Sequence, residues 1–229
     1  MDRSRLAIVI PALNEEGSIG AVVRNCCSYG LPIVVDDGSI DRTSEVSKSE
    51  GAEVVRHPVN KGYDAALNSG FRRAAELDCE FVITIDADGQ HDPQLIEKYL
   101  DLLHGGADIV VGIRHRHQRF AEYCFSLTTK LLYGLSDPLC GLKGYRMSVY
   151  RALGHFDSYG SIGTELTLFA VRHGAELQQV PIVVRERNGH PRFGRKLQAN
   201  YKIFRALVLS LIKTRRGSYV RPESGKSAL

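Results

Sequence analysis

Residues 81–90 read Phe-Val-Ile-Thr-Ile-Asp-Ala-Asp-Gly-Gln, an apolar run that ends in two aspartates. Short runs of this kind, rich in Val and Ile, recur along the first half of the chain and alternate with stretches of helical spacing. That alternation is typical of a parallel sheet whose strands are joined by crossover helices. We therefore predict an α/β fold with strands at 6–11, 32–36, 53–56, 81–86 and 108–113.

The segments around these strands predict helices. Apolar residues at helical spacing indicate core-facing helices within 19–26, 67–74 and 95–103. Asp41 and the pair Asp92-Pro93 are typical of helix starts. Beyond residue 113 the pattern predicts helices near 119–134, 163–173 and 196–213 and one more strand at 177–184.

Size and composition bound the class of protein. The chain has 229 residues, 43% of them hydrophobic, which is enough for one α/β core and leaves little for a second domain. The net charge of +4 arises from intermixed charges and gives no reason to expect a nucleic-acid partner. Five cysteines without a Cys-x-x-Cys pair indicate a reduced compartment. With no signal peptide and no apolar run of ~20 residues, we expect a cytoplasmic protein.

Polar side chains follow four of the predicted strands. The carboxyl ends of parallel strands line one crevice, where ligands of open α/β sheets bind. We therefore expect these acids, amides and one arginine to lie together. They are Asn14, Glu15 and Glu16 after the first strand, Asp36, Asp37 and Ser39 after the second, Asp86, Asp88 and Gln90 after the fourth, and Arg114 after the fifth.

The acidic end of the fourth strand predicts a metal site. Asp86 and Asp88 are separated by Ala87 alone, so both carboxylates can reach one ion. Together with Gln90 they offer hard oxygen ligands, which suit Mg²⁺ or Mn²⁺. An isolated acidic turn is common at strand ends, and the other polar strand ends favour the metal site over that simpler interpretation.

Two further segments are candidates for nucleotide binding. Asp36 and Asp37 precede Gly38-Ser39, which is ordinary turn chemistry. Buried adjacent acids need partners, however, and a nucleotide base and ribose would supply them. The segment 60–65, which contains Lys61, enters a helix, and Gly62 permits close backbone approach.

In combination and in order, these motifs resemble family 2 glycosyltransferases, most strongly dolichyl-phosphate mannose synthase and related polyprenyl-phosphate glycosyltransferases. The motifs are Pro11-Ala12-Leu13-Asn14-Glu15, Val35-Asp36-Asp37-Gly38-Ser39, Asn60-x-Gly62, Asp86-Ala87-Asp88-Gly89-Gln90-His91, Gly112-x-Arg114 and Asp137-x-x-x-Gly141. The resemblance implies a GT-A-type, Rossmann-like, mostly parallel sheet with helices on both faces. We expect a catalytic domain over 1–194, a basic amphipathic helix over 195–216 and a disordered tail over 217–229.

The resemblance also implies roles for single residues. A GDP- or UDP-sugar donor would be bound by the set Pro11, Leu13, Glu15, Val35, Asp36, Asp37, Lys61, Asp86, Ala87, Asp88, Gln90, Arg114 and Arg187. Within it, Asp86, Asp88 and Gln90 look like the metal ligands. Arg114 and Arg187 look like phosphate-binding residues, and with Asp88 they are the expected catalytic residues. The segment after Arg187 departs from the family pattern, and Arg192 is a candidate for the missing cation.

The implied reaction is inverting transfer of mannose or glucose from the nucleotide sugar to a polyprenyl or dolichyl phosphate. Such an acceptor is largely dianionic at neutral pH and needs no general base. A sugar-hydroxyl acceptor would need one, and Glu165 or Asp137 is then the candidate. A non-catalytic sugar-nucleotide-binding module is the third alternative.

The predicted helices at 119–134 and 196–213 suit a lipid acceptor. Each has an apolar stripe and basic flanks, as interfacial helices do, which would make the protein peripheral on the membrane. Packing against the core or in a homodimer fits the same pattern, and the sequence leaves these interpretations open.

Overall fold

The computed structural model describes residues 5–115, 119–183, 196–213 and 219. The strands are β1 Leu6–Ala12, β2 Leu31–Asp36, β3 Glu53–Arg56, β4 Phe81–Thr84, β5 Ile109–Arg114, β6 Lys143–Arg146 and β7 Leu177–Ile182. The helices are α1 Ile19–Cys27, α2 Thr43–Ser49, α3 Tyr63–Glu76, α4 Leu95–His104, α5 Phe120–Tyr133, α6 Met147–Leu153, α7 Glu165–Arg172 and α8 Lys196–Ile212.

The strands form a single sheet in the order β3-β2-β1-β4-β6-β5-β7. Every pairing is parallel except those of β6, which runs antiparallel to β4 and β5. The carboxyl ends of β1, β2, β4 and β5 therefore share one edge, and β6 begins at that same edge. The predicted mostly parallel α/β sheet is confirmed.

Alternation along the strands divides the core into two layers. In β1, Ala7 and Val9 face one layer, whereas Leu6, Ile8 and Ile10 face the other. The first layer is completed by α3, α5, α6, α7 and α8, and the second by α1 and α4. Helices thus cover both faces of the sheet, as expected from the near-continuous apolar character of the central strands.

Two elements, β6 and α6, were not predicted. β6 consists of Lys143-Gly144-Tyr145-Arg146 and has no apolar run. It becomes a strand because its backbone pairs with β4 on one side and β5 on the other. Strand ends also differ: β4 stops at Thr84, two residues before the predicted end, and β7 stops at Ile182.

The C-terminal helix α8 lies against the main body and packs on α5. Tyr219 belongs to the predicted tail, yet its hydroxyl donates to Asp108 Oδ1 at 2.8 Å. The remaining tail residues lie outside the described ranges. Within those ranges, none of the helices has the length and apolar character needed to cross a bilayer.

Candidate active site

The loop after β1 is tied to the loop after β2. The Asn14 backbone N–H donates to Ser39 Oγ at 2.8 Å, and the Ile40 N–H donates to Asn14 Oδ1 at 2.9 Å. Asn14 has φ 49°, a left-handed conformation that asparagine adopts more readily than most residues. The neighbouring Glu15 N–H donates to Thr43 Oγ1 at 2.8 Å. These bonds hold the β1 loop at the carboxyl edge of the sheet.

A cavity of about 390 Å³ opens at this edge. It brings together nine of the expected donor-binding residues: Pro11, Leu13, Glu15, Asp37, Asp86, Ala87, Asp88, Gln90 and Arg114. The wall also contains residues that sequence analysis did not select, among them Tyr63, Thr84, Cys140, Lys143, Phe156 and Ile162. Tyr63 and Cys140 lie inside segments that the sequence analysis selected for other residues, and the remaining four lie in no selected motif.

Asp37 finds its partners within the protein. Its carboxylate accepts the backbone N–H groups of Lys61 at 2.9 Å and Gly62 at 2.8 Å, and it bonds His57 Nδ1 at 2.6 Å. The expectation that this buried acid needs a nucleotide for its hydrogen bonds is therefore wrong. Asp37 instead fixes the turn 60–62, which borders the cavity.

Three expected donor residues do not line the cavity. Val35 and Asp36 are wholly buried in β2, and the Lys61 side chain is exposed outside the cavity wall. Asp36 accepts the Ser39 N–H at 2.8 Å and the Ser44 hydroxyl. Strand alternation turns the Asp36 carboxylate away from the cavity. It stabilises the loop after β2 instead.

Asp86 lies against Gly141 at the start of the segment that leads into β6. A Cβ at position 141 would lie 2.9 Å from Asp86 Cγ and closer still to Oδ2, so a larger residue would displace the carboxylate. His91 Nε2 bonds Asp86 Oδ2 at 3.2 Å, and the Gln90 N–H donates to Asp88 Oδ1 at 3.1 Å. Gly141 and His91 therefore set the position of Asp86.

Arg114, at the end of β5, is held by buried carboxylates. Its Nε and Nη2 donate to Asp137 at 2.8 and 2.9 Å, and Nη2 lies 3.5 Å from Glu122 Oε2. Burial lowers the pKa of Arg114, but the hydrogen bonds and charge of Asp137 outweigh it and raise the pKa above its usual value. The guanidinium is thus charged, fixed in orientation and largely neutralised by the protein.

Lys143 and Asp64 together hold a strained turn in the cavity wall. Ile162 has φ 58°, a region that β-branched residues rarely enter. Asp64 accepts the N–H groups of Ile162 at 3.2 Å and Gly163 at 2.6 Å, and Lys143 Nζ donates to Gly163 O at 2.6 Å. Burial raises the pKa of Asp64 to about 6. These bonds keep the turn against the cavity.

The residues proposed as a general base are not placed for that role. Glu165 does not line the cavity, and it accepts the N–H of Ser158 at 2.5 Å and bonds His155 Nε2 at 3.0 Å. Asp137 is wholly buried and occupied by Arg114. Arg187 and Arg192 lie outside the described residues, so their expected roles stay predictions.

The donor atoms at the cavity suit a hard divalent cation. Among the described residues, no cluster of three or more His, Cys, Asp or Glu side chains is placed to hold a metal ion. The expected set of Asp86, Asp88 and Gln90 has only two carboxylates and an amide. Mg²⁺ commonly combines such a set with substrate phosphates and water. The residues that line the cavity therefore fit a metal brought together with its phosphate-bearing ligand.

The fold and the acidic strand end define a GT-A glycosyltransferase. Residues 7–154 match the family described as Glycosyl transferase family 2, and the chain belongs to that family. Dolichyl-phosphate hexose transferase of Haloferax volcanii is 29% identical over 197 residues, 80% of this chain and 84% of that protein. Polyprenol monophosphomannose synthase of Mycolicibacterium smegmatis is 30% identical over 207 residues, 80% of this chain and 78% of that protein.

A solved structure has the same fold. Glucosyl-3-phosphoglycerate synthase from Mycobacterium tuberculosis, in complex with Mn²⁺ and uridine-diphosphate-glucose, superposes with a TM-score of 0.72 at 26% identity. The match covers 91% of this chain and 79% of that chain. The resemblance inferred from the motifs is thereby confirmed at the level of the family and the fold.

Proposed function

We propose that this glycosyltransferase moves a hexose, mannose or glucose, from a nucleotide sugar to a polyprenyl phosphate with inversion at the anomeric carbon. The observation that carries the proposal is the cavity, which collects Asp86, Asp88, Gln90 and Arg114 at the carboxyl edge of the sheet. The names of the two relatives, a dolichyl-phosphate hexose transferase and a polyprenol monophosphomannose synthase, support it.

The donor half of the cavity would bind a GDP- or UDP-sugar. Pro11, Leu13 and Glu15 border the space for the nucleotide, next to the turn that Asp37 holds. Asp86, Asp88 and Gln90 would hold Mg²⁺ or Mn²⁺, which when bound offsets the diphosphate charge and acts as a Lewis acid on the leaving group. The Mn²⁺ and nucleotide sugar in the glucosyl-3-phosphoglycerate synthase structure support this assignment.

A phosphate acceptor needs no general base, which agrees with the placement of the two described candidates, Glu165 and Asp137, in other contacts. A hydroxyl acceptor must lose a proton, whereas a phosphate near neutral pH already carries the attacking negative charge. The two candidate bases are engaged elsewhere, Glu165 with Ser158 and Asp137 with Arg114. Arg114 would then help to orient the anionic substrates through the guanidinium N–H groups that Asp137 does not occupy, although its charge is largely balanced by Asp137 and Glu122.

The lipid part of the acceptor would lie on the outer faces of α5 and α8. Both helices expose an apolar stripe, and Leu131 is 78% and Ile212 71% exposed. The rings of Phe120 and Phe204 lie 6.5 Å apart, so the two stripes adjoin. The stripes comprise Phe120, Tyr123, Leu127 and Leu131 on α5 and Tyr201, Phe204, Val208, Leu211 and Ile212 on α8. We propose peripheral binding to the cytoplasmic face of a membrane through this surface, here called the α5/α8 face.

Sugar transfer to undecaprenyl phosphate tests the function. Purified protein would be incubated with Mn²⁺, undecaprenyl phosphate and UDP- or GDP-hexoses in turn, and the lipid product followed by mass spectrometry. We expect one donor to react, Asp88→Asn to lower the rate by at least about 100-fold, and Asp101→Asn, on the exposed side of α4, to match wild type. Donor binding without transfer to any acceptor would contradict the proposal and favour a binding module.

A further inference from the structure

Lys143 is a buried cation with few partners. The residue is 3% exposed and lines the cavity. An ammonium group has three N–H donors. Within the described part of the chain, Nζ makes one hydrogen bond, to Gly163 O at 2.6 Å. Two donors of a buried charged group thus lack a partner among the described residues.

No described carboxylate lies within 4.0 Å of the Lys143 ammonium. The charged or titratable groups around it are Asp64 on α3, Asp137 and Cys140 before β6, and Arg114 on β5. Both aspartates are already engaged, Asp64 with backbone N–H groups and Asp137 with Arg114. A buried charge without a counter-ion is costly, and burial lowers the pKa of Lys143 to about 8.

We propose that the Lys143 ammonium binds a phosphate oxygen of a substrate in the cavity. The assignment deepens the proposed function and rests on it for the identity of the substrates. Of the two described cations that line the cavity, Arg114 is neutralised by Asp137 and Glu122, whereas Lys143 has no such partner. An anion would supply the missing charge and the missing acceptors, which a neutral hydroxyl would do only in part.

Two substrate groups have this chemistry, the donor diphosphate and the acceptor monophosphate. Lys143 follows Gly141 by two residues, and Gly141 packs against Asp86. Thr84 and Lys143 are paired across β4 and β6. The backbone of Lys143 therefore lies beside the strand that leads to the expected metal ligands, and its ammonium lies at the Gly163 carbonyl in the wall of the same cavity. Either phosphate group would be bound within this cavity.

Calorimetric binding to Lys143→Met tests the proposal without requiring turnover. The probes are inorganic pyrophosphate with Mn²⁺, farnesyl phosphate, and farnesol as the uncharged control. We expect the affinity for at least one phosphate probe to fall roughly tenfold or more, because a charge-assisted hydrogen bond is lost. If the affinity for pyrophosphate falls, Lys143 binds the donor diphosphate. If the affinity for farnesyl phosphate falls, Lys143 binds the acceptor phosphate.

Matched variants separate this role from folding. Lys143→Arg should retain most of the affinity, and Lys98→Met, which removes an exposed charge on α4, should bind like wild type. Binding at pH 8 should also take up protons in wild type, measured in buffers of different ionisation enthalpy, and this uptake should be smaller in Lys143→Met. Wild type that binds neither phosphate probe, or Lys143→Met that binds both within twofold of wild type, would overturn the proposal.

The two proposals fail in different ways. A protein that transfers no sugar but loses pyrophosphate affinity on Lys143→Met would keep the phosphate subsite and lose the proposed reaction. Sugar transfer by Lys143→Met at the wild-type KM for both substrates would keep the proposed reaction and overturn the phosphate subsite.

Discussion

The carboxylate of Asp137 holds Arg114 by three hydrogen bonds: from Nε at 2.8 Å, from Nη2 at 2.9 Å and from the Arg114 backbone N–H at 3.1 Å. Asp137 is wholly buried, and Arg114 is the only described arginine in the cavity wall. Arg114 and Asp137 are 23 positions apart in the chain. The pair therefore joins the end of β5 to the segment that precedes β6.

Asp137→Asn should destabilise the protein and slow sugar transfer. Asparagine keeps the shape but removes the charge, which leaves a partly buried arginine with Glu122 as its remaining counter-ion. We expect a loss of about 3 kcal/mol in the free energy of unfolding. Urea unfolding and the transfer rate measure the two effects. Asp101→Asn is the control, and wild-type stability in Asp137→Asn would contradict the assignment.

Gly141→Ala should slow sugar transfer and weaken its response to Mn²⁺, with little effect on stability. The added methyl group would collide with the Asp86 carboxylate, which can rotate away but then leaves its place among the expected metal ligands. We expect the rate to fall by about 100-fold and the Mn²⁺ concentration for half-maximal activity to rise. Gly17→Ala is the matched control because no heavy atom lies within 4 Å of its added Cβ. Unchanged Mn²⁺ dependence would count against Asp86 as a ligand.

Glu165→Gln should alter stability more than catalysis. Glu165 is buried outside the cavity and accepts from the Ser158 N–H at 2.5 Å and the Ser158 hydroxyl at 2.9 Å. We expect a loss of about 1–2 kcal/mol of unfolding free energy and an unchanged pH dependence of kcat. Loss of the acidic limb of the pH–rate profile would show instead that Glu165 is a general base.

Lys143 should make stability depend on alkaline pH. Burial lowers its pKa from 10.5 to about 8, so the unfolded chain binds the proton more tightly than the folded protein. The destabilisation is fully present below about pH 8 and is relieved as pH rises towards 10.5. Relative to Lys143→Met, the unfolding free energy of wild type should rise by about 3 kcal/mol over that interval. If the difference in unfolding free energy between wild type and Lys143→Met stayed constant with pH, the prediction would be wrong. Lys98→Met serves as the charge control.

Phe120→Glu combined with Leu131→Glu should abolish binding to anionic liposomes while nucleotide binding persists. The two side chains are 70% and 78% exposed, so charge can be added to the α5/α8 face without disturbing the core. Liposome flotation measures the effect, and Leu77→Glu, at the end of α3, is the control. If wild type is a homodimer that does not bind liposomes and the variant is a monomer, the α5/α8 face is instead the contact between two copies of the chain.

Much of the fold followed from local patterns in the sequence. Apolar runs predicted six of the seven strands, and polar residues after those strands predicted part of the set that lines the cavity. β6 was not predicted because a four-residue segment with Lys143 and Arg146 has no strand pattern of its own. Asp36 was assigned to the ligand site although it faces away, because sequence order places a residue at a strand end without specifying its partners.

The sequence by itself determined the family, the parallel sheet and the acidic strand end with Asp86 and Asp88, since these depend on residues close together in the chain. Only the tertiary structure decided that Asp137 holds Arg114, that Gly141 makes room for Asp86, and that Lys143 is buried without a described counter-ion. Asp64 and Gly163, for example, are 99 positions apart, yet the Asp64 carboxylate accepts the Gly163 N–H behind the cavity wall. Contacts of that separation form only when the sheet and its helices pack, so burial and partner choice are set by the whole fold.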